Sequence, residues 1–301
     1  MGGDSGNRPL TAEPRQAAPP GLPATGLPDA DPSHTGPPDT GPPGTGPPDT
    51  GSPGGERAPG DLAAWRQSPS GSLHAQSEQI WRGLHEHPFL RELAAGTLPL
   101  AKFRFFLEQD ILYLADYARC LALGAAKSAT EAELRYFAKQ LDGTINLELP
   151  NQRQLLEQVC LLGAPDRGGA RGMAPANVAY TSFLLRVAGQ GGPLDIVAAI
   201  LPCAWSYLEI AGELAGQFAE HPVYREWVGF YLTDEVTGLV RGMREDFDEM
   251  ARGAADSEER RRELAGIFGT SSRLEGSFWQ MAYTLDQWPD LRYPAAGELA
   301  G

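Results

Sequence analysis

The 301-residue sequence predicts an all-α body behind a Pro/Gly-rich N-terminal leader. Three observations carry that prediction. From about Ser70 onward apolar residues recur with period 3.6, the signature of amphipathic helices. Breakers separate the periodic stretches: Gly168-Gly169, the run Gly189 to Pro193, His221-Pro222 and the acidic stretch Ala255–Glu259. No segment alternates with period 2 for long enough to make a strand.

The leader spans residues 1–68. It holds 15 of the 26 prolines and 13 of the 36 glycines within its first 60 residues. Such a segment lacks the apolar surface needed to offset the entropy of ordering, so it is expected to be disordered. Within residues 35–53 a five-residue Thr-Gly-Pro-Pro-Asp pattern repeats. That period differs from the Gly-X-Y triplet of collagen, and extended polyproline-rich chain is the expectation. No chemistry is assigned to it. The body, residues 69–301, is long enough to bury a substantial core.

Helices are expected at residues 99–125, 129–162, 175–190, 193–219, 222–253 and 258–286, seven or eight in all once the region before 99 is included. In the first of these, Phe103, Phe106, Leu107, Leu114 and Leu121 fall on one face, and Pro99 opens it where a missing N–H costs nothing. No uninterrupted apolar run of about 18 residues exists, so no membrane span is expected.

The net charge of −14 comes without a basic stripe, which disfavours nucleic-acid binding. Three cysteines, Cys120, Cys160 and Cys203, include no CxxC pair. This argues against a disulfide framework or a cysteine zinc site. A soluble protein of a reducing compartment, the cytoplasm, is expected, since the N-terminus does not read as a secretory signal.

In a helical protein, chemistry usually sits between helices, so polar residues on apolar stripes are the informative ones. Asp110 and Tyr113 share a helix face with Phe106, Leu114 and Tyr117. Cys203 and Tyr207, four apart, share another face, just beyond the helix-interior Pro202. Glu275 precedes the aromatic pair Phe278-Trp279. Together these are one nucleophile, two acid/base groups and several phenols.

The motif order resembles the TenA family, thiaminase II or aminopyrimidine aminohydrolase, which shares the haem-oxygenase fold. The matching segments are LPLAKFRFFLEQDILYL (98–114), AYTSFLL (179–185), ILPCAWSYLEIAGEL (200–214), HPVYREWVGFY (221–231) and RLEGSFWQMAYTLDQWP (273–289). The resemblance implies that Cys203 is the nucleophile of the cysteine-type subclass, with Asp110 and Glu275 as the active-site carboxyls. It implies that Tyr113, Tyr180, Tyr207 and Tyr231 line a pyrimidine pocket. It also implies a homotetramer acting on a small aminopyrimidine or thiamine, without metal or organic cofactor. Cys203 is then the reactive thiol, and Cys120 and Cys160 are structural. One departure stands out: many relatives carry Glu-x-x-x-His where this chain has Glu148-Leu149-Pro150-Asn151-Gln152, which leaves the local helix geometry open. Two rival readings remain at this point. One is a pyrimidine- or thiamine-binding regulatory protein without turnover, the other a metal-dependent oxygenase on the same fold.

Overall fold

The computed structural model describes residues 66–217 and 221–289. The leader, apart from its last three residues, lies outside the described residues, and so does the Thr-Gly-Pro-Pro-Asp repeat. Three short helices come first: α1 (Pro69–Gln76), α2 (Glu78–His85) and α3 (Pro88–Ala94). The long ones follow as α4 (Leu100–Lys127), α5 (Glu131–Gly143), α6 (Leu149–Leu161), α7 (Pro175–Gln190), α8 (Pro193–Leu214), α9 (Pro222–Tyr231), α10 (Asp234–Ala251) and α11 (Glu258–Thr284).

Local sequence explains most helix starts. Ser68, Thr130, Thr233 and Ser257 each accept a backbone N–H of the first turn through their side-chain oxygen. At Thr130 a capping box closes with Glu133. Prolines open α1, α3, α7, α8 and α9, where no intrahelical donor is lost.

Two expected helices are each divided. The 129–162 stretch runs through a π-helical turn, Thr144–Glu148, between α5 and α6. Pro150 follows two residues later, and its ring would press on the carbonyl of Asn146 in a regular helix; the wider turn accommodates it. The 222–253 stretch breaks at Leu232, and Thr233 caps α10. Both segments keep an apolar face toward the bundle, so the sequence pattern shows no gap there.

The core is continuous and strongly aromatic. α4 lies at its centre, packed against α5, α6, α7 and α11, while α8 packs against α11, α10 and α7. Phe106 of α4 stacks on Trp279 of α11 at 5.1 Å between ring centroids, and Tyr207 of α8 stacks on the same indole at 5.1 Å. Gly124 lets α5 approach α4, since a Cβ there would collide with the Phe137 ring. α8 is long and apolar enough to cross a bilayer, but most of it is buried inside the bundle, where a two-sided apolar helix belongs.

Candidate active site

Five helices and the π turn converge on one buried site. α8 supplies Cys203 and Tyr207, one turn apart. Pro202 beside them lacks the N–H that would meet the Ala198 carbonyl, so the ladder is interrupted where the thiol sits. The same helix sends Trp205 and Glu209 the other way. The Trp205 Nε1–H donates to Glu209 Oε1 at 2.7 Å, and His74 of α1 pairs with Glu209 Oε2 at 3.4 Å. The compact motif around Cys203 therefore serves two purposes on two faces, one that lines the buried cavity and one that anchors the N-terminal helices.

α4 supplies Asp110 and Tyr113, both almost fully buried. α7 supplies Tyr180, and α11 supplies Glu275, which is 1% exposed. The Tyr113 and Tyr180 rings lie 4.9 Å apart, and Tyr207 and Tyr231 lie 5.1 Å apart. The Tyr180 hydroxyl is hydrogen-bonded to Glu275 Oε2 at 2.9 Å and to Ser271 Oγ at 3.1 Å. Every residue singled out from the sequence is thus brought to one place. Cys203, Tyr207 and Tyr231 line a cavity whose other walls include Tyr117, Glu148, Leu114 and Phe230.

Sequence reasoning missed Glu148 as a member of this site. It reaches the cavity from the π turn, and its Oε1 accepts from the Tyr231 hydroxyl at 3.2 Å. Gln152, one turn on, is fully buried and donates from Nε2 to that hydroxyl at 2.9 Å. The signal was present as Glu148 and Gln152 at i, i+4. It carried no meaning until the π turn and α9 placed Tyr231 between them.

The electrostatics are one-sided. Burial pushes the Asp110 carboxyl well above the usual range, with Glu148 and then Glu275 adding to the effect. Glu148 is pushed up to about 7 by burial, against the pull of its bond from Tyr231. Glu275 is also pushed up to about 7 by burial, opposed by Tyr180 and Tyr207 and assisted by Glu148. The Cys203 thiol is raised well above its ordinary value by burial first, then by Glu275 and Glu148, while the adjacent Tyr113 hydroxyl lowers it. Three carboxyls surround a thiol, so the resting sulfur is protonated. A thiolate there would need a cationic or proton-accepting partner.

The other two cysteines differ from one another. Cys120 is buried, and its thiol is pushed up to about 12 by burial. Cys160 is exposed on α6. The expectation that it is a packed structural residue is therefore corrected: its neighbours Leu161 and Leu162 also point outward, at 88% and 52% exposure. An apolar stripe across 129–162 cannot show which of its residues the π turn rotates away from the core.

Comparison with known proteins places this geometry. The family model described as TENA/THI-4/PQQC matches residues 74–285. The aminopyrimidine aminohydrolase of Halalkalibacterium halodurans is 39% identical over 219 residues, which cover 72% of this chain and 96% of the relative. The Bacillus subtilis aminopyrimidine aminohydrolase is 32% identical over 221 residues, 73% of this chain and 92% of that one. Among solved structures, a TenA homologue from P. horikoshii superposes with a TM-score of 0.64 at 32% identity, covering 72% of this chain and 99% of that chain. A Shewanella denitrificans domain with a heme oxygenase-like fold gives a TM-score of 0.52 at 14% identity, a likeness of fold alone.

Proposed function

The chain belongs to the TENA/THI-4/PQQC family, and from that premise we propose that it is an aminopyrimidine aminohydrolase, a thiaminase II of thiamine salvage. Its substrate would be 4-amino-5-aminomethyl-2-methylpyrimidine, with thiamine as a second one. The observation that carries this reading is the convergence of Cys203, Asp110 and Glu275 in one buried site. A protein that only binds pyrimidines has no use for a thiol encircled by carboxyls.

The reaction follows from those groups. Asp110, held neutral by burial, gives its proton to a ring nitrogen and receives the Cys203 thiol proton in exchange. The sulfur meanwhile bonds to the ring carbon beside the substituted one. Thiol has then added across a C=N bond, and ring aromaticity is broken. Electrons from the ring nitrogen expel the amine from the methylene, and the amine takes the Glu275 proton as it leaves. Water adds to the exposed methylene and loses a proton. The S–C bond breaks, the ring proton returns to sulfur through Asp110, and the hydroxymethyl pyrimidine leaves with the ring restored. Covalent catalysis of this kind replaces one difficult displacement by easier steps. The tyrosines stack on the ring and hydrogen-bond it without adding charge.

The oxygenase reading is disfavoured by where the histidines stand. His74 and His85 pair with Glu209 and Glu213, neither of which belongs to the carboxyls around Cys203. The same proposal includes a homotetramer working in the cytoplasm. The deciding experiment is turnover of the aminomethyl pyrimidine beside thiamine by purified protein. Release of ammonia and hydroxymethyl pyrimidine is expected. Binding of either compound without turnover would favour the regulatory reading, and stoichiometric iron in the protein would favour the oxygenase.

A further inference from the structure

Two hydrogen-bond chains end on the two glutamates of the site, and counting their protons gives opposite results. The first chain runs Glu275, Tyr180, Ser271 and the backbone carbonyl of Ala199, with O···O distances of 2.9, 3.1 and 2.6 Å. A carbonyl only accepts, so the Ser271 proton is committed to Ala199. Tyr180 has one proton and two oxygen neighbours. Three bonds require three protons, and the two hydroxyls provide two. The third is supplied when Glu275 is a carboxylic acid donating to Tyr180; as a carboxylate Glu275 accepts from Tyr180 instead, and the Tyr180–Ser271 contact then carries no proton.

The second chain runs Gln152 Nε2, the Tyr231 hydroxyl and Glu148 Oε1, at 2.9 and 3.2 Å. Two bonds are filled by two protons, the amide N–H and the phenol O–H. Glu148 is purely an acceptor and needs no proton of its own. Turning the Gln152 amide over would bury two donors without partners, whereas the observed orientation leaves only the Oε1 acceptor unpartnered. The latter is the less costly arrangement.

We propose that Glu148 is a third catalytic carboxyl, the base that takes the proton of the attacking water, while Glu275 is the acid that protonates the leaving amine. Gln152 and Ser271 are the positioning residues that set these roles. This rests on the hydrolase reading above and deepens it. Protons balance over the cycle. The amine leaves with the Glu275 proton, the C–O bond forms as Glu148 takes the water proton, and that proton returns from Glu148 to Glu275 across the site. Both glutamates are raised to about 7, so neither role is settled by acidity, and the polarity of the partners splits them. The groups facing Glu275 are Asp110 and Tyr113 of α4, Glu148, Tyr180 of α7, and Cys203 and Tyr207 of α8. Those facing Glu148 are Asp110, Tyr117, Cys203, Glu275 and Tyr231. None is a cation.

The test is single-turnover chemistry on Glu148→Gln beside the native chain. In the variant, one equivalent of ammonia should appear in a burst. Intact mass should then show the pyrimidine attached at Cys203, with steady-state turnover lower by roughly 10²–10⁴. Steady-state turnover close to native, or loss of the ammonia burst together with turnover, would overturn the proposal. Two further variants guard against a merely structural effect. Gln152→Leu weakens the donor to Glu148 and should move the ascending limb of the pH–kcat profile to higher pH. Ser271→Ala frees Tyr180 to donate to Glu275 in both charge states and should move the descending limb to lower pH. Limbs that stay in place in both variants would sink the assignment. Absence of turnover in the native chain would instead remove the hydrolase reading itself.

Discussion

Gln109 and Asp110 are consecutive residues of α4, both buried, in opposite kinds of surroundings. Gln109 is saturated. Its Nε2 donates to the carbonyls of Gly169 and Gly172 at 2.6 and 2.9 Å, and its Oε1 accepts from Ala174 N at 2.8 Å and from Asn177 Nδ2 at 3.0 Å. It clamps the loop between α6 and α7 onto α4. Asp110, about 100° further round the helix, keeps its Oδ2 without a partner and faces two more carboxyls. A buried polar group whose bonds are all made supports architecture. One left short, beside groups of like charge, is held ready for a ligand.

The sharpest break of that comparison is Cys203→Ala, which should abolish turnover of both the aminomethyl pyrimidine and thiamine, because both pass through the ring adduct. Residual activity on either would mean that the carboxyls alone perform the displacement.

Glu275→Gln keeps the shape but cannot supply a proton. Turnover of the aminomethyl pyrimidine should fall by roughly 10²–10⁴. Thiamine cleavage should fall clearly less, since thiazole leaves as a neutral molecule. The same variant carries a stability signature. A carboxyl raised from 4.5 to about 7 in the folded state contributes stability that is present below pH 4.5 and lost as pH rises through 7. Melting temperature of the native chain should therefore decline between pH 5 and 8 relative to Glu275→Gln. The upper bound is on the order of 3 kcal/mol, at about 1.36 kcal/mol per pH unit. Parallel melting curves would mean that folding leaves the Glu275 carboxyl at its ordinary acidity.

The adjacent pair gives the cleanest contrast. Gln109→Leu leaves the buried Gly169 carbonyl, the Gly172 carbonyl and the Ala174 N–H without this partner and should cost about 2–4 kcal/mol, with activity per folded molecule little changed. Asp110→Asn should change stability by no more than about 1 kcal/mol while ring activation is lost. Denaturant melts and kcat measured together decide it. A stable, inactive Gln109 variant would undo the division into clamp and site.

The smallest effect concerns the thiols. In the ligand-free protein, alkylation at neutral pH should reach Cys160 first, Cys203 slowly and Cys120 last, by peptide mapping. Cys160 is exposed, whereas Cys203 is raised by burial first and then by the three carboxyls. Cys203 labelled ahead of Cys160 would mean that the resting sulfur is already a thiolate.

By itself the sequence determined the helical class and several helix starts, and its resemblance to a family pointed to Cys203, Asp110, Glu275 and the four tyrosines, which the structure brings to one place. Caps, prolines and i, i+4 spacing are local, so they can be read within a few residues. Tertiary structure decided what depends on distant partners. The π turn at Thr144–Glu148 reveals itself only through backbone bonds, and it is what turns Glu148 into the cavity. Tyr231 lies 79 residues beyond Gln152, and Ser271 lies 91 beyond Tyr180. No periodicity connects such positions. The protonation of the site follows the same rule: a cysteine beside a tyrosine reads as an activated thiol, and only the packing of α4, α8, α11 and the π turn shows three carboxyls around it holding its proton in place.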